Sequence, residues 1–365
     1  MIPYLDLKKI NLKYETAFKT AFEDVLYSGW YILGQSVDTF ENEYAFFSQT
    51  KHAIGVANGL DALILSLKSL GVGVGDEVIV PSNTYIASWL AVSFLGSTPV
   101  PVEPRIDTYN INPDLIEQAI TKNTKVIMPV NLYGQAAELD EICKIAKKYN
   151  LYVVEDNAQS QGASYKEKPA GSWGDINATS FYPGKNLGAL GDGGAITTDN
   201  EAFSKMVKML RNYGSEKKYY NQVKGFNSRL DELQAALLSI KLKSLTEENN
   251  ERIKWASVYN TELQGVGDLM LPALAPHASS VYHIYQIRTS KRDELMQYLS
   301  KNEIGHIIHY PVPPHLQEAY QEMGFKKGDF PIAEEIAQTC LSIPLYPGIC
   351  QSHIEHVIST IKHFY

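Results

Sequence analysis

The sequence predicts an α/β protein, with a large domain on a mainly parallel sheet followed by a smaller α+β domain. Three observations carry this. Between residue 52 and about residue 200, short β-rich runs alternate with helical patterns at the spacing of strand–helix–strand units. After Arg229 the pattern changes to long helices. The 365 residues suit one large core and one small one.

Residues 52–57 read as a strand, and Asn58 as the cap of a helix whose Leu60, Leu63, Ile64 and Leu67 share an apolar face. Gly71, Gly73 and Gly75 end that helix, and 76–81 is the next strand. Asn112-Pro113 opens another helix, with proline at its tolerated first position. Residues 124–130 and 151–155 are strands, and 138–149 is the helix between them. Right-handed crossovers then bring the strand ends at Asn58, Asp156 and the 180–185 turn to one edge of the sheet, where ligands of such sheets bind. Leu230, Leu233, Leu237, Ile240 and Leu242 lead into a charged helical segment, which places the domain boundary near residue 245. The division is 1–245, the large domain with an N-terminal arm, and 246–365, the small one. In the latter, 281–288 and 306–310 read as strands and 292–299 as a helix.

Composition excludes several function classes. A formal net charge of −8 argues against a general nucleic-acid or anionic-membrane surface, while leaving room for a local anion site. No run approaches the ~18 apolar residues of a membrane helix; the stretch 53–74 is broken by Asn58, Asp61 and Lys68. Acid and proline occupy the N-terminus where a signal peptide needs an apolar core. Cys143, Cys340 and Cys350 are odd in number and lack ligand spacing, as expected of reduced thiols. These features together predict a cytoplasmic protein.

The chemistry centres on Lys185, in Ser180-Phe181-Tyr182-Pro183-Gly184-Lys185-Asn186-Leu187, ahead of Gly188, Gly191, Gly193 and Gly194. About thirty residues earlier a strand ends at Asp156. Singly, a lysine is usually a surface charge and a strand-end aspartate a turn or cap. Together they suit a pyridoxal phosphate enzyme, in which the lysine holds the cofactor as a Schiff base and the acid keeps the pyridine nitrogen protonated. The amides of Asn58-Gly59-Leu60 at a helix start and the Ser180 hydroxyl suit a phosphate. Tyr85 is placed to stack on the ring. Gly71 to Gly75 precede a strand, unlike a dinucleotide fingerprint, and Gly184-Lys185 lacks the other residues of a P-loop. His306, His309 and His315 have a spacing that invites a metal, but prolines surround them and no acid or cysteine accompanies them, so none is expected.

Four blocks resemble the DegT/StrS-type aminotransferases of nucleotide-linked keto sugars, which are fold-type I pyridoxal phosphate enzymes. They are Asn58 through Leu63, Glu155-Asp156-Asn157-Ala158-Gln159, Ser180 through Lys185 with Gly191-Asp192-Gly193-Gly194, and Gly225 through Ala236. Pro3-Tyr4-Leu5-Asp6-Leu7 and Ser28 through Gly34 are similar as well, so the likeness spans nearly the whole chain. It implies that Lys185 and Asp156 are catalytic and that Gly59, Leu60 and Ser180 hold the phosphate. It further implies that Tyr85 covers one ring face and that Gln159 bonds the 3′-oxygen, where many relatives have His. Asn227 resembles a residue that reaches the phosphate from the partner subunit, which implies a homodimer with shared active sites. Leu60 departs from the Thr often found there, leaving only its amide. His306 through His315 resembles the family's loop near the sugar; His309 and Tyr310, with Tyr31 and Tyr182, are the substrate candidates, and Arg229 either meets an anion or pairs with an acid.

The resemblance implies ping-pong transamination from L-glutamate to a nucleotide-linked keto sugar. The 58–61 variant looks like the branch acting at C3 of a dTDP-3-keto-6-deoxyhexose, in making deoxyamino sugars for lipopolysaccharide or another glycan. The alternatives are amination at C4 or another sugar carbon, a dehydratase, against which Lys185 counts because relatives of that kind can carry His there, a non-catalytic sensor, and a plain binding domain.

Overall fold

The computed structural model describes residues 1–365. Its main sheet uses β1 (His52–Val56), β2 (Glu77–Pro81), β3 (Thr98–Val102), β4 (Thr124–Ile127), β5 (Tyr152–Asp156), β6 (Ile176–Ser180) and β7 (Gly194–Thr198). Their spatial order is β1-β7-β6-β5-β4-β2-β3. The pairs from β6 to β3 are parallel, and β7 is antiparallel to both β6 and β1. Two reversals return β1 to the direction of β6. The carboxyl ends of β1, β2, β4, β5 and β6 therefore share one edge, and the expected mainly parallel α/β architecture is the one that forms.

Both faces of this sheet are buried, which is why β1 and β2 are nearly continuous apolar runs rather than alternating. Val78 and Val80 face a core with Val126, Val154 and the helix Gly59–Ser69, whereas Ile79, Ile127 and Val153 face the helix Leu139–Tyr149. Asn58 caps Gly59–Ser69 by accepting from Asp61 N at 2.8 Å. At Asn112-Pro113 the chain makes only a 3₁₀ turn and the short helix Ile116–Ala119.

The edge strands are unusual. β3 carries Pro99 and Pro101, which hid it from the sequence reading. Thr98 N and Val102 O bond across to the β2 side, so the intervening prolines turn their missing N–H outward. On β1, Gly55 turns its outward N–H to Glu41 Oε1 (2.8 Å) and its carbonyl to Arg211 Nη1 (2.7 Å). Arg211 and Glu41 also pair with each other, both buried.

A second core surrounds β8 (Tyr285–Arg288) and β9 (Cys340–Ile343), which pair antiparallel. The helices Leu245–Leu263, Arg292–Lys301 and Gln351–Phe364 cover it, and Ile2 and Ile10 from the chain's start pack into it. Two expectations are corrected here. Residues 306–310 form no strand: only Ile307 bridges, to Ser342, and the His309 carbonyl is taken by the Tyr133 hydroxyl. Residues 281–284 precede β8 instead of belonging to it, because Tyr282 has φ 44° where the chain passes Gly134.

The helix Gln35–Ser48 starts on a carboxylate from a distant segment. Glu232, 3% exposed, accepts from Gly34 N (2.7 Å), Ser36 N (2.8 Å) and Val37 N (3.1 Å). Charge-assisted capping of buried amides is worth about 1–3 kcal/mol. Glu232→Ala is therefore expected to lower the chemical-denaturation midpoint, and Glu232→Gln, which keeps one acceptor, to lower it less.

Candidate active site

Asp156 is the last residue of β5 and is 5% exposed. Its Oδ1 accepts from Ala158 N (3.1 Å) and its Oδ2 from Ser88 Oγ (3.0 Å). Burial raises its pKa; the Ala158 amide, the Ser88 hydroxyl and the charge of Lys185 oppose the rise. Glu155, its neighbour, points to the opposite face and binds Gly171 N, Trp173 N and Asn131 Nδ2, a structural anchor.

Lys185 lies in the loop between β6 and β7. Its backbone N donates to Tyr182 O at 2.8 Å, while its ammonium makes no hydrogen bond or ion pair with the protein. Burial lowers the amine's pKa from 10.5 to about 8, against the attraction of Asp156. A lysine near neutrality facing a buried acid is the pair a Schiff-base cofactor requires.

The helix start at Gly59 offers an anion site. The Gly59 and Leu60 amides donate to no protein acceptor. A Cβ on Gly59 would stand 2.5 Å from Ser180 Cβ, so only glycine allows this close approach of helix and strand end. Ser180 Oγ accepts from Tyr182 N (3.2 Å), which leaves its proton free. Two amides, one hydroxyl and a helix dipole form a donor set for a phosphate. The residues present thus fit pyridoxal phosphate at both its ends.

Gln159 Oε1 accepts from Tyr133 N at 2.7 Å, which turns Nε2 outward as the donor, toward Tyr310 OH at 3.1 Å. Tyr85 is half exposed, its ring centroid 5.2 Å from that of Tyr310. His309 Nδ1 meets Ser342 Oγ at 2.9 Å, and burial and the Lys185 charge lower its pKa to about 4, so it is neutral. The structure thus brings Lys185, Asp156, Gln159, Tyr85, His309 and Tyr310 into one neighbourhood, beside Gly59, Leu60 and Ser180.

Other candidates lie around it. Asn227 lines a cleft of about 570 Å³ with Ile32, Asn58, Asp192 and Arg229. Tyr31, which precedes the cleft residue Ile32, is exposed, and its hydroxyl donates to Leu26 O. Tyr182 is exposed on the Lys185 loop. Arg229 meets no acid; it bonds Asn212 Oδ1 (2.9 Å) and lies over the Tyr213 ring. His315 is buried against Glu334, and His306 bonds Ile304 O.

Three neighbours of these candidates escaped the sequence reading. They are Ser88 on Asp156, Tyr133 on Gln159, and His283, whose Nδ1 meets Asn186 Oδ1 at 3.1 Å. Burial first, then the Lys185 charge, holds His283 well below the usual histidine pKa. No motif in a single sequence marks any of them.

The sequence profile of the DegT/DnrJ/EryC1/StrS aminotransferase family matches residues 13–362. The chain is 50% identical over 364 residues to the dTDP-3-amino-3,6-dideoxy-alpha-D-galactopyranose transaminase of Aneurinibacillus thermoaerophilus, covering 100% of this chain and 99% of that one. It is 46% identical over 361 residues to the erythromycin biosynthesis sensory transduction protein EryC1 of Saccharopolyspora erythraea, covering 99% of each. Among solved structures it is similar to DesV of S. venezuelae in complex with a ketimine intermediate. The TM-score is 0.98 at 45% identity, over 100% of this chain and 98% of that one.

Proposed function

The chain belongs to the DegT/DnrJ/EryC1/StrS aminotransferase family, and from that premise we propose that it carries an amino group from L-glutamate to C3 of a dTDP-3-keto-6-deoxyhexose. The product is a dTDP-3-amino-3,6-dideoxyhexose. The fold is that of the fold-type I enzymes, and pyridoxal phosphate is the cofactor. The observation that carries the reading is the unpartnered Lys185 amine facing Asp156 beside the Gly59, Leu60 and Ser180 donors.

When bound, the cofactor supplies an electron sink that lets an amino acid lose its α-proton and nitrogen pass between two substrates. The chain's residues do the rest. Lys185 Nζ would take the donor's α-proton and deliver it to the cofactor carbon that keeps the nitrogen, a transfer favoured by a pKa of about 8. Asp156 is the acid for the ring nitrogen, held in place by Ser88 and Ala158 N. Gln159 Nε2 serves the ring oxygen and Tyr85 a ring face. Gly59, Leu60 and Ser180 take the phosphate, assisted by Asn227 of a second copy. His309 and Tyr310, with Tyr31 and Tyr182, line the sugar site.

In this reading residues 1–245 form the cofactor domain and 246–365 the smaller one. The working unit is a homodimer; exposed aromatic side chains at Tyr27, Trp30, Tyr31, Tyr213, Tyr219 and Tyr220 support it. The place of action is the cytoplasm, in making a lipopolysaccharide or other glycan sugar; no helix is long and apolar enough to cross a membrane. A sensor reading has the EryC1 likeness behind it, but an intact Lys185 and Asp156 weigh against it.

The test is the visible spectrum of the purified protein before and after L-glutamate, then after a dTDP-3-keto-6-deoxyhexose. The expected result is a Schiff-base band that glutamate bleaches and the keto sugar restores, with nitrogen at C3 by NMR of the product. Nitrogen at C4 would move the assignment to the neighbouring carbon. A protein that pyridoxal phosphate cannot colour would end it.

A further inference from the structure

We propose that Tyr133 is a positioning residue that locks the Gln159 amide and the His309–Tyr310 loop into one closed circuit. The proposal rests on the function given above, and it extends it to a residue outside the family blocks of the sequence.

The circuit closes through named atoms. Tyr133 N donates to Gln159 Oε1 at 2.7 Å, and Gln159 Nε2 donates to Tyr310 OH at 3.1 Å. Tyr310 follows His309 in the chain, and the His309 carbonyl accepts the Tyr133 hydroxyl. One residue therefore holds the cofactor-side amide with its backbone and the sugar-side loop with its side chain.

Tyr133 is itself held in place. It is 5% exposed with φ 59°, a left-handed conformation that a bulky residue keeps only when its surroundings over-determine it. Asn131 N bonds Asp156 O at 3.0 Å, and Leu132 N bonds Asn110 Oδ1 at 2.9 Å. On the other side, a Cβ on Gly134 would stand 2.6 Å from His283 N, so the next residue is wedged against the second core. The Tyr133 ring packs edge-on to Tyr109 at 5.3 Å. The segment is thus tied to the catalytic acid at one end and to the C-terminal part at the other. Besides Tyr133, the hold on His309 comes from Ser342 Oγ, from the Tyr4 ring at 5.7 Å, and from Cys340 Sγ at 3.5 Å from its carbonyl. The Tyr133 hydroxyl is the strong donor among the contacts to that carbonyl.

Tyr133→Phe removes the hydroxyl and leaves the backbone bond to Gln159. In the holoenzyme the cofactor spectrum and the glutamate half-reaction are expected to stay within about twofold of the parent. The KM for the keto sugar is expected to rise about three- to tenfold, the worth of one hydrogen bond. A readout independent of turnover is hydrogen exchange of the 306–312 peptide in apoprotein, expected to quicken by a similar factor while the 157–161 peptide is unchanged. Ser342→Ala loosens His309 from its ring side and should give the same signature, which guards against a folding defect peculiar to one variant. Equal slowing of both half-reactions, or unchanged exchange at 306–312 in both variants, would overturn the proposal. A parent protein that glutamate does not bleach would instead overturn the function, and the exchange result would still decide the role of Tyr133.

Discussion

Lys185→Ala is expected to stop both half-reactions. The amine is the only titratable group of the site that faces Asp156 without a protein partner, so no neighbour can take over its proton. His309 and His283 are both held neutral by burial and already engage Ser342 and Asn186. Loss of positioned proton transfer alone costs about 10²–10⁴ in rate, and loss of the covalent anchor adds to it. Stopped-flow spectra with glutamate, and separately with keto sugar, check the expectation; a variant within tenfold of the parent in either would refute it. The same residue has a pH signature in apoprotein. Because burial depresses the amine's pKa to about 8, the parent should show one more amine reacting with trinitrobenzenesulfonate with a midpoint near 8 than Lys185→Ala does. The sign for stability follows from the depressed value: the charged amine penalises the fold below pH about 8, and the penalty fades as pH rises from there toward lysine's ordinary 10.5. Lys241, also lowered to about 8, contributes in the same direction, so the difference between parent and variant is the quantity to read.

Arg211→Met is expected to give the largest loss of stability, about 3–5 kcal/mol, the cost of breaking a buried ion pair from one side. The change strands the Glu41 carboxylate, which is 8% exposed, with only the Gly55 amide, and leaves the Gly55 carbonyl unpaired. Adding Glu41→Leu to it removes the stranded charge and should recover part of the loss, so the two changes together cost less than their sum. Thermal unfolding followed by circular dichroism measures this. A single-variant loss below about 1 kcal/mol would show that the pair is spare.

How far the site was legible follows from the fold's geometry. Asp156, Lys185, Gly59 and Ser180 lie at or just beyond strand ends, and alternation of strand and helix is enough to bring such ends to one edge. Tyr85 and Gln159 follow β2 and β5 by a few residues and benefit from the same logic. Ser88, Tyr133 and His283 were hidden because each acts through a partner 26 to 97 residues away, and nothing in their own neighbourhood announces it. β3 was hidden for a different reason: prolines read as turns until the strand is known to be an edge. The run 306–310 misled in the opposite direction. Its apolar residues suit a strand, but the backbone carbonyl of His309 is occupied by the side chain of Tyr133.

Both margins of the main sheet are closed, by proline on β3 and by the Arg211–Glu41 pair on β1. Neither can recruit a strand from another molecule at these positions, which removes the commonest template for irreversible self-association. At these two margins, copies of the chain can meet only through side chains, a contact that single substitutions can tune. Arg211→Met would reopen one margin as well as weaken the fold. Its unfolding should therefore leave more aggregate than an equally destabilising change in the second core, such as Leu295→Ala.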